Sequence, residues 1–170
     1  MKTPLLYNLL FDGQDTSEIM SYAVTVSELL GGSDKIIFIL GAKDSRLNQL
    51  SDSICHNPVP REMAMLMSSA AKICAALMAL SLCELGVRAK SLTAEQIGIN
   101  VTVMFDGRIS LGNKINGSDL IMLALQENEV VVCVGGYGVT QDGDVLPLPE
   151  GFTQTGQLLK PLLEKYAATA

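Results

Sequence analysis

The sequence predicts an α/β protein, built as a three-layer α/β/α sandwich with a mostly parallel sheet. Two apolar runs, at 35–41 and 129–134, favour this fold, because each is continuous and is followed by glycine or ends in it. Strands buried on both faces of a parallel sheet have this pattern. Helix-like segments alternate with the strand-like ones, as layered α/β folds require. Since neither a linker nor a repeat interrupts them, residues 1–170 are predicted to form a single domain.

The first strand is expected at 5–11, followed by a helix to about residue 30 that Asp15, Thr16 or Ser17 can cap and Gly31-Gly32 ends. A short helix is predicted at 45–50, and a proline-containing loop at 51–60. The other predicted elements are a long helix at 61–85, strands at 87–92, 97–105 and 108–111, helices at 116–126 and 153–166, and turns at 106–107, 135–138 and 142–143.

The long helix carries two adjacent apolar stripes, and Ser81 is its only polar residue between Lys72 and Glu84. A helix that is apolar on most sides has to be covered by more than one layer or by another subunit. Hydrophobic residues make up 48% of the chain and charged residues 18%. The sequence therefore predicts a homo-oligomer, with a dimer as the simplest form.

Charge and cysteine content exclude several other classes of protein. A net charge of −6 repels phosphate backbones, so no nucleic-acid partner is expected. No uninterrupted run of about 18 apolar residues occurs, so no membrane partner is expected either. The four cysteines form no CxxC pair and are predicted to be free thiols of a cytoplasmic protein. Neither a metal nor a cofactor is predicted.

The stretch from Val132 to Val145 contains Gly-Gly-Tyr-Gly-Val-Thr followed by Asp-Gly, and it resembles a glycine-containing segment of the aspartokinases, members of the amino-acid kinase family. The helix and following segment at 72–99 resemble the long helix, strand and Q-x-G-I turn of that family. Residues 5–41 fit its first βαβ unit, and 106–109 its small β-excursion. The resemblance covers nearly the whole chain and implies the amino-terminal, substrate-side half of an amino-acid kinase.

The same resemblance implies that the kinase machinery is missing. Leu10 stands where the family's K-F-G-G-T-S segment has its phosphate-neutralising lysine, and Asp12 and Asp15 replace small neutral residues. Ala70-Ala71 replaces a G-E pair that helps to position the substrate. Residues 41–47 stand where the family has its substrate-contacting S-A-x-x-x-x-T-D stretch, and they keep only part of that pattern. Residues 148–156 stand where the family has its G-R-G-G-S-D stretch, and only Gly151 and Thr155 still resemble it. The nucleotide-binding half is not encoded in these residues.

The carboxyl edge of the sheet is nevertheless a candidate binding site, because ligands of open α/β sheets bind there. A remnant small-molecule pocket would be lined by Asp44, Ser45, Gln96, Gly135, Tyr137 and Gly138. The alternative is that the glycine turn is kept for its positive φ angles alone. Cys55-His56 is the only Cys–His pair, but neighbouring side chains in a loop rarely point at each other, so no catalytic residue is assigned.

Three functions remain open at this point. The leading hypothesis is an aspartokinase-like protein that has lost ATP-dependent kinase activity and acts as a dimer, a scaffold or a regulatory partner of another enzyme. The second is an enzyme with different chemistry on a small amino-acid-like metabolite in the remnant pocket. The third is a split aspartate kinase, whose nucleotide half a partner chain supplies.

Overall fold

The computed structural model describes residues 3–30 and 35–169. In chain order its elements are β1 (Leu5–Asp12), α1 (Thr16–Leu29), β2 (Ile36–Lys43), α2 (Ser45–Ile54), α3 (Pro60–Glu84), β3 (Ala89–Leu92), α4 (Ala94–Ile97), β4 (Ile99–Val103), β5 (Ile109–Ile115), α5 (Ser118–Glu127), β6 (Val130–Val134), β7 (Tyr137–Val139), β8 (Val145–Pro147) and α6 (Phe152–Thr169).

The first sheet has the strand order β1-β2-β6-β3 and is parallel throughout. Its side chains alternate between two cores. Phe38 and Leu40 of β2 pack towards α1 and α3, whereas Ile37 and Ile39 pack towards α5 and α6. Helices therefore cover both faces, and the predicted α/β/α sandwich with a mostly parallel sheet is confirmed.

A second, mixed sheet follows the order β5-β4-β7-β8 and packs beside the core on the α5 and α6 side. Both of its antiparallel pairs close through the predicted tight turns. Gly107 has a φ of 80° in the first turn and Gly143 a φ of 88° in the second. A positive φ is strained for residues with a side chain, which explains glycine at both turns.

Several element boundaries were predicted wrongly. Residues 51–54 continue α2 instead of forming a loop, because the helix breakers Pro58 and Pro60 lie further along the chain. Helix α4 was missed, although Thr93 and Gln96 form a capping box at its start. Strands β7 and β8 were not predicted: Tyr137 and Gly138 lie in the predicted turn at 135–138, and no element was predicted at 145–147, because strands of three residues are too short to show a period. The predicted end of α1 at Gly31-Gly32 lies outside the described residues.

The long helix α3 is 25 residues in length and combines a buried inner face with an exposed outer one. Cys74, Met78 and Leu82 are fully buried against the first sheet. By length and composition α3 could cross a membrane, since an 18-residue window reaches a mean hydropathy of 1.7. However, 44% of that window is buried inside the fold, as in the core helix of a layered protein.

Candidate functional site

Strands β1, β2, β6 and β3 run parallel, so their carboxyl ends meet at one edge of the first sheet. Gln14 and Asp15 follow β1, Asp44 follows β2, and Gly135 follows β6. The backbone N–H of Gly135 donates to the carbonyl of Leu40 at 2.8 Å, which fixes the turn after β6 beside the end of β2. This edge is therefore the candidate site that the fold provides.

Asp44 is the centre of a polar cluster at this edge, and only 1% of the residue is exposed. Its Oδ1 accepts a hydrogen bond from the backbone N–H of Arg46 at 2.9 Å, which caps α2. Its Oδ2 accepts from Nε2 of Gln14 at 2.7 Å. The Arg46 guanidinium closes the cluster, donating to Oε1 of Gln14 at 2.7 Å and to Oδ2 of Asp44 at 3.3 Å. The hydrogen bond from Arg46 holds the pKa of Asp44 below its usual range.

A second carboxylate caps the neighbouring helix. Oδ1 of Asp15 accepts from the backbone N–H groups of Ser17 at 2.9 Å and Glu18 at 3.2 Å. The Ser17 hydroxyl also donates to Oδ1, and its hydrogen bond is the main cause that lowers the pKa of Asp15. The N-termini of both helices that begin at this edge, α1 and α2, are thus occupied by carboxylates of the chain itself.

The floor of this edge is apolar at positions where the kinase resemblance implies polar groups. A Cβ atom on Gly41 would lie 3.2 Å from Cδ1 of Leu10 and 3.0 Å from the Phe152 ring, so these two side chains cover the strand there. Ala70 and Ala71 of α3 are completely buried. A charged side chain at either alanine would have to enter the core.

Cys74 adds a thiol beneath the cluster, on the inner face of α3. Its Sγ donates to the carbonyl of Gly13 at 3.2 Å. Burial, together with the carboxylates of Asp44 and Glu18, raises the pKa of this thiol to about 11. Since the thiolate is the nucleophilic form, Cys74 is a structural residue at neutral pH.

The glycine turn after β6 is tightly packed. A Cβ atom on Gly135 would lie 2.4 Å from Cγ2 of Ile39, and one on Gly138 would lie 2.4 Å from Cγ1 of Val101. Gly136 has a φ of 86°, and its N–H donates to Oγ1 of the buried Thr155 at 3.0 Å. Thr155 therefore anchors the turn to α6. The sequence did not predict this role, because Thr155 meets the turn only in the folded chain.

The remaining residues of the predicted pocket have separate local environments. Ser45 is an exposed first residue of α2. The Oε1 atom of Gln96 accepts from the backbone N–H of Thr93 at 2.9 Å, in the capping box of α4. Tyr137 is half-buried against the core under α1 and α3, and burial raises its pKa. Among the described residues, hydrogen bonds join Asp44 to Gln14 and Arg46, and not to Gln96 or Tyr137.

Gln14 and Arg46 complete the cluster, although they were not among the predicted pocket residues. The available signal was Asp44 as a helix cap with an arginine two residues later. Gln14 could not be found in this way, because it reaches Asp44 across 30 residues of sequence.

Several cavities lie away from this edge. One of about 410 Å³ is bordered by Glu95, Asn100, Asn116 and Gln141, and one of about 600 Å³ by β5 and α6. A third, of about 300 Å³, is an apolar groove between α2 and α3, lined mainly by Ile54, Val59, Met63 and Leu66.

Comparison with solved structures identifies the class of protein that has this fold. The structure matches the aspartate kinase from Synechocystis with a TM-score of 0.67 and 25% identity, over 91% of this chain and 26% of that one. It matches E. coli aspartokinase III in complex with aspartate and ADP with a TM-score of 0.67 and 15% identity, over 94% of this chain and 47% of that one. The architecture is that of the aspartokinases.

Sequence comparison leads to the same proteins, although no family model matches the chain. It is 33% identical to an aspartokinase of Geobacillus stearothermophilus over 132 residues, which are 76% of this chain and 32% of that protein. It is 32% identical to an aspartokinase of Mycobacterium bovis over 127 residues, or 73% of this chain and 30% of the relative. The chain is therefore an aspartokinase-like protein, and it spans about a third of the length of these relatives.

Proposed function

We propose that this aspartokinase-like chain does not transfer phosphate from ATP and acts by binding, as a homodimer or as a regulatory or scaffold partner of another enzyme. The observation that carries the proposal is the pair of carboxylate caps at the carboxyl edge. Asp15 and Asp44 accept the N–H groups at the starts of α1 and α2.

Helix N-termini bind phosphate because their free N–H groups and the positive end of the helix dipole face the anion. Here Asp15 and Asp44 already fill both positions with negative charge. The cation of the cluster, Arg46, is paired with Asp44. An incoming phosphate would have to displace a carboxylate and would meet its repulsion, so this edge disfavours the anion that a kinase has to hold.

The rest of the site agrees with this proposal. Phosphoryl transfer depends on positioning and on stabilising the charge of the transferred group. Removal of one such donor typically costs roughly 10²- to 10³-fold in rate. Leu10 supplies no charge where the resemblance implies the lysine, and Ala70 and Ala71 are core residues where it implies a G-E pair.

The direct test is an assay of aspartate-dependent ADP release by the purified chain, with Mg²⁺ and ATP. The aspartokinase of Geobacillus stearothermophilus serves as the positive control. We expect no release above the ATP blank. Release that requires aspartate and grows in proportion to the amount of chain would overturn the proposal.

A second candidate function is chemistry on a small amino-acid-like metabolite in the remnant pocket. The observation in its favour is that the half-buried Tyr137 follows β6 at the same edge as the exposed guanidinium of Arg46. Thermal-shift titration with the twenty amino acids tests it, using Tyr137→Phe and Asp44→Asn as variants. If a ligand stabilises the wild type and both variants equally, the remnant pocket is not its site.

The third possibility, a split kinase, would show itself as a nucleotide-binding partner that co-purifies from the native source.

We also place the chain in the cytoplasm. The four cysteines are free, and Cys55 and Cys83 are exposed, which suits a reducing compartment.

A further inference from the structure

Strand β1 forms one edge of the first sheet, and no described strand pairs with its other side. It runs over eight residues, Leu5–Asp12, and contains neither a proline nor a lysine. The opposite edge, β3, has four residues and includes Lys90. Short length and an edge lysine both keep a strand from pairing with another chain. The β1 edge has neither protection, so it is open to a further strand.

The side chains of β1 resemble those of an inner strand, although the strand lies at the edge. Leu5, Tyr7 and Leu10 are 43%, 39% and 42% exposed. The neighbouring strand β2, in contrast, is buried at each of its first six residues. Single exposed apolar residues are normal on a protein surface, but three on one unpaired strand form a patch that a partner would cover.

The backbone polar groups of β1 alternate between an inner and an outer side. The N–H of Leu5 donates to the carbonyl of Lys35 at 2.8 Å. Further along, the N–H of Gly13 donates to the carbonyl of Lys43 at 2.6 Å. In a parallel ladder every second residue directs both its N–H and its C=O to the same neighbour, so the odd-numbered residues bond to β2. The outward N–H and C=O groups therefore belong to Leu6, Asn8, Leu10 and Asp12.

The amino end of this edge adjoins a cavity of about 410 Å³ between the start of β1 and α6. Pro4, Leu6 and Leu163 border it with apolar groups. The exposed side chains of Lys160 and Glu164 also border it, and their charges balance. The cavity is large enough for a bulky apolar side chain of an added strand.

The carboxyl end of the edge carries an exposed negative charge on Asp12. None of the ion pairs among the described residues includes it. Opposite charges on neighbouring strands stabilise a sheet when they lie at the same level. A lysine or arginine on an added strand would therefore find its partner in Asp12.

We propose that the outer edge of β1 binds an extended, apolar segment of a partner protein as a fifth, parallel strand. This inference rests on the proposed function and names the surface through which the chain binds another protein. The direction follows the rest of the first sheet, in which all pairs are parallel. The partner segment has a bulky apolar residue at the cavity, beside Leu6, and a lysine or arginine beside Asp12. Its main chain bonds to the outward groups between them, as in other strand-addition complexes.

The first test uses a synthetic peptide of this chemistry, acetyl-Val-Leu-Ile-Thr-Val-Thr-Val-Lys-amide. Its leucine is placed for the cavity and its lysine for Asp12. Fluorescence anisotropy of a labelled copy measures binding to the intact chain. In a parallel ladder the N–H groups of the isoleucine and of the valine between the threonines face β1, whereas those of both threonines face solvent.

We expect N-methylation of the isoleucine and that valine to weaken binding at least about tenfold, since two hydrogen bonds are lost. N-methylation of both threonines is the matched control and should change the affinity less than about twofold. The reverse result would indicate an antiparallel strand and contradict the proposal. Equal losses from both peptides, or no binding of the unmodified peptide at about 1 mM, would also overturn it.

Two variants of Asn8 test the same edge on the chain itself. Asn8→Pro removes an outward N–H and no bond to β2, a position at which edge strands accept proline. Asn8→Ala is the control, because it removes the same side chain and keeps the N–H. We expect both variants to keep the far-ultraviolet circular dichroism spectrum and only Asn8→Pro to lose the peptide. Peptide binding by a folded Asn8→Pro would contradict the proposal, and the methylated peptides decide the question if that variant does not fold.

Hydrogen exchange followed by nuclear magnetic resonance separates a partner strand from a second copy of the chain. We expect the four outward amides to exchange fast in the chain alone and slowly with the peptide. Slow exchange in the chain alone that depends on protein concentration would show that a second copy holds the edge, and would overturn the proposal. Aspartate-dependent ADP release defeats the proposed function whatever the peptide does, whereas a chain that neither releases ADP nor binds the peptide defeats only the strand site.

Discussion

The two helical layers that cover the first sheet bury similar inner faces but differ in what they leave exposed. The layer of α1 and α3 exposes large apolar side chains on both helices, among them Met20, Leu29, Ile73 and Leu80. In the layer of α5 and α6, Leu123 is the only exposed large apolar residue among the described side chains. A layer needs one apolar face to cover a sheet, so a second apolar face indicates a second surface to cover.

The largest expected effect tests whether the inner faces are equivalent. Leu82 of α3 and Leu125 of α5 are both fully buried, one in each core. We expect Leu82→Ala and Leu125→Ala each to lower the free energy of unfolding by about 2–5 kcal/mol, since each leaves a cavity. Urea denaturation followed by circular dichroism measures this. A loss below about 1 kcal/mol for either variant would show that one layer packs loosely.

The next prediction concerns the outer faces. If a second copy covers α3, the thermal midpoint of the wild type rises with protein concentration, because association stabilises the folded state by mass action. We expect Ile73→Ala to weaken dimerisation at least about tenfold and to reduce this rise, as removal of a buried interface side chain does. Leu123→Ala serves as the control and should leave the rise intact. If the thermal midpoints of the two variants rise equally with protein concentration, the outer faces of the two layers do not differ in what covers them.

A third prediction uses the cysteines, which sample both cores and the outer surface. Cys74 faces the α1 and α3 core, Cys133 faces the α5 and α6 core, and Cys55 and Cys83 are exposed. Burial raises the pKa of Cys133 to about 12 and that of Cys74 to about 11. At pH 8 both buried groups are therefore protonated and unreactive.

We expect a disulfide reagent at pH 8 to titrate two thiols in the folded protein and four in urea. Fast reaction of a third thiol in the folded state would mean that one of the two cores opens.

The smallest effect concerns the ion pair between Lys72 and Glu95. Both side chains are about one-third exposed, at 33% and 37%, so solvent screens their attraction. A double-mutant cycle with Lys72→Met and Glu95→Gln should give a coupling free energy of at most about 1 kcal/mol. A larger coupling would mean that the pair contributes to the packing of α3 against α4.

The fold could be predicted from the sequence wherever an element is long or buried on both sides. The continuous apolar runs at 35–41 and 129–134 and the periodic apolar stripes of α3 are clear signals, and the strands and the helix found there confirm the sandwich. Helix α4 and strands β7 and β8 have three or four residues each, too few for a period to appear. The sequence does not mark the end of α2 at Ile54, because the nearest helix breakers, Pro58 and Pro60, come only later in the chain.

The candidate site was harder to predict than the fold. Asp44 was recognised as a polar residue at the end of a buried strand, and the structure places it there. Its role as a cap and its bond to Gln14 depend on how two loops meet at the sheet edge, which no local pattern encodes. The division of α3 into a buried and an exposed side was likewise invisible, because both sides are apolar in sequence.

The packing of the glycine turn bears on how the relationship to aspartokinases can be interpreted. A side chain at Gly135 or Gly138 would overlap Ile39 or Val101, and Gly136 has a positive φ. A library of all substitutions at these three positions, scored for soluble expression, should therefore be depleted even where no ligand is ever bound. Packing alone therefore constrains the stretch that most resembles the aspartokinases, whether or not it also binds a ligand.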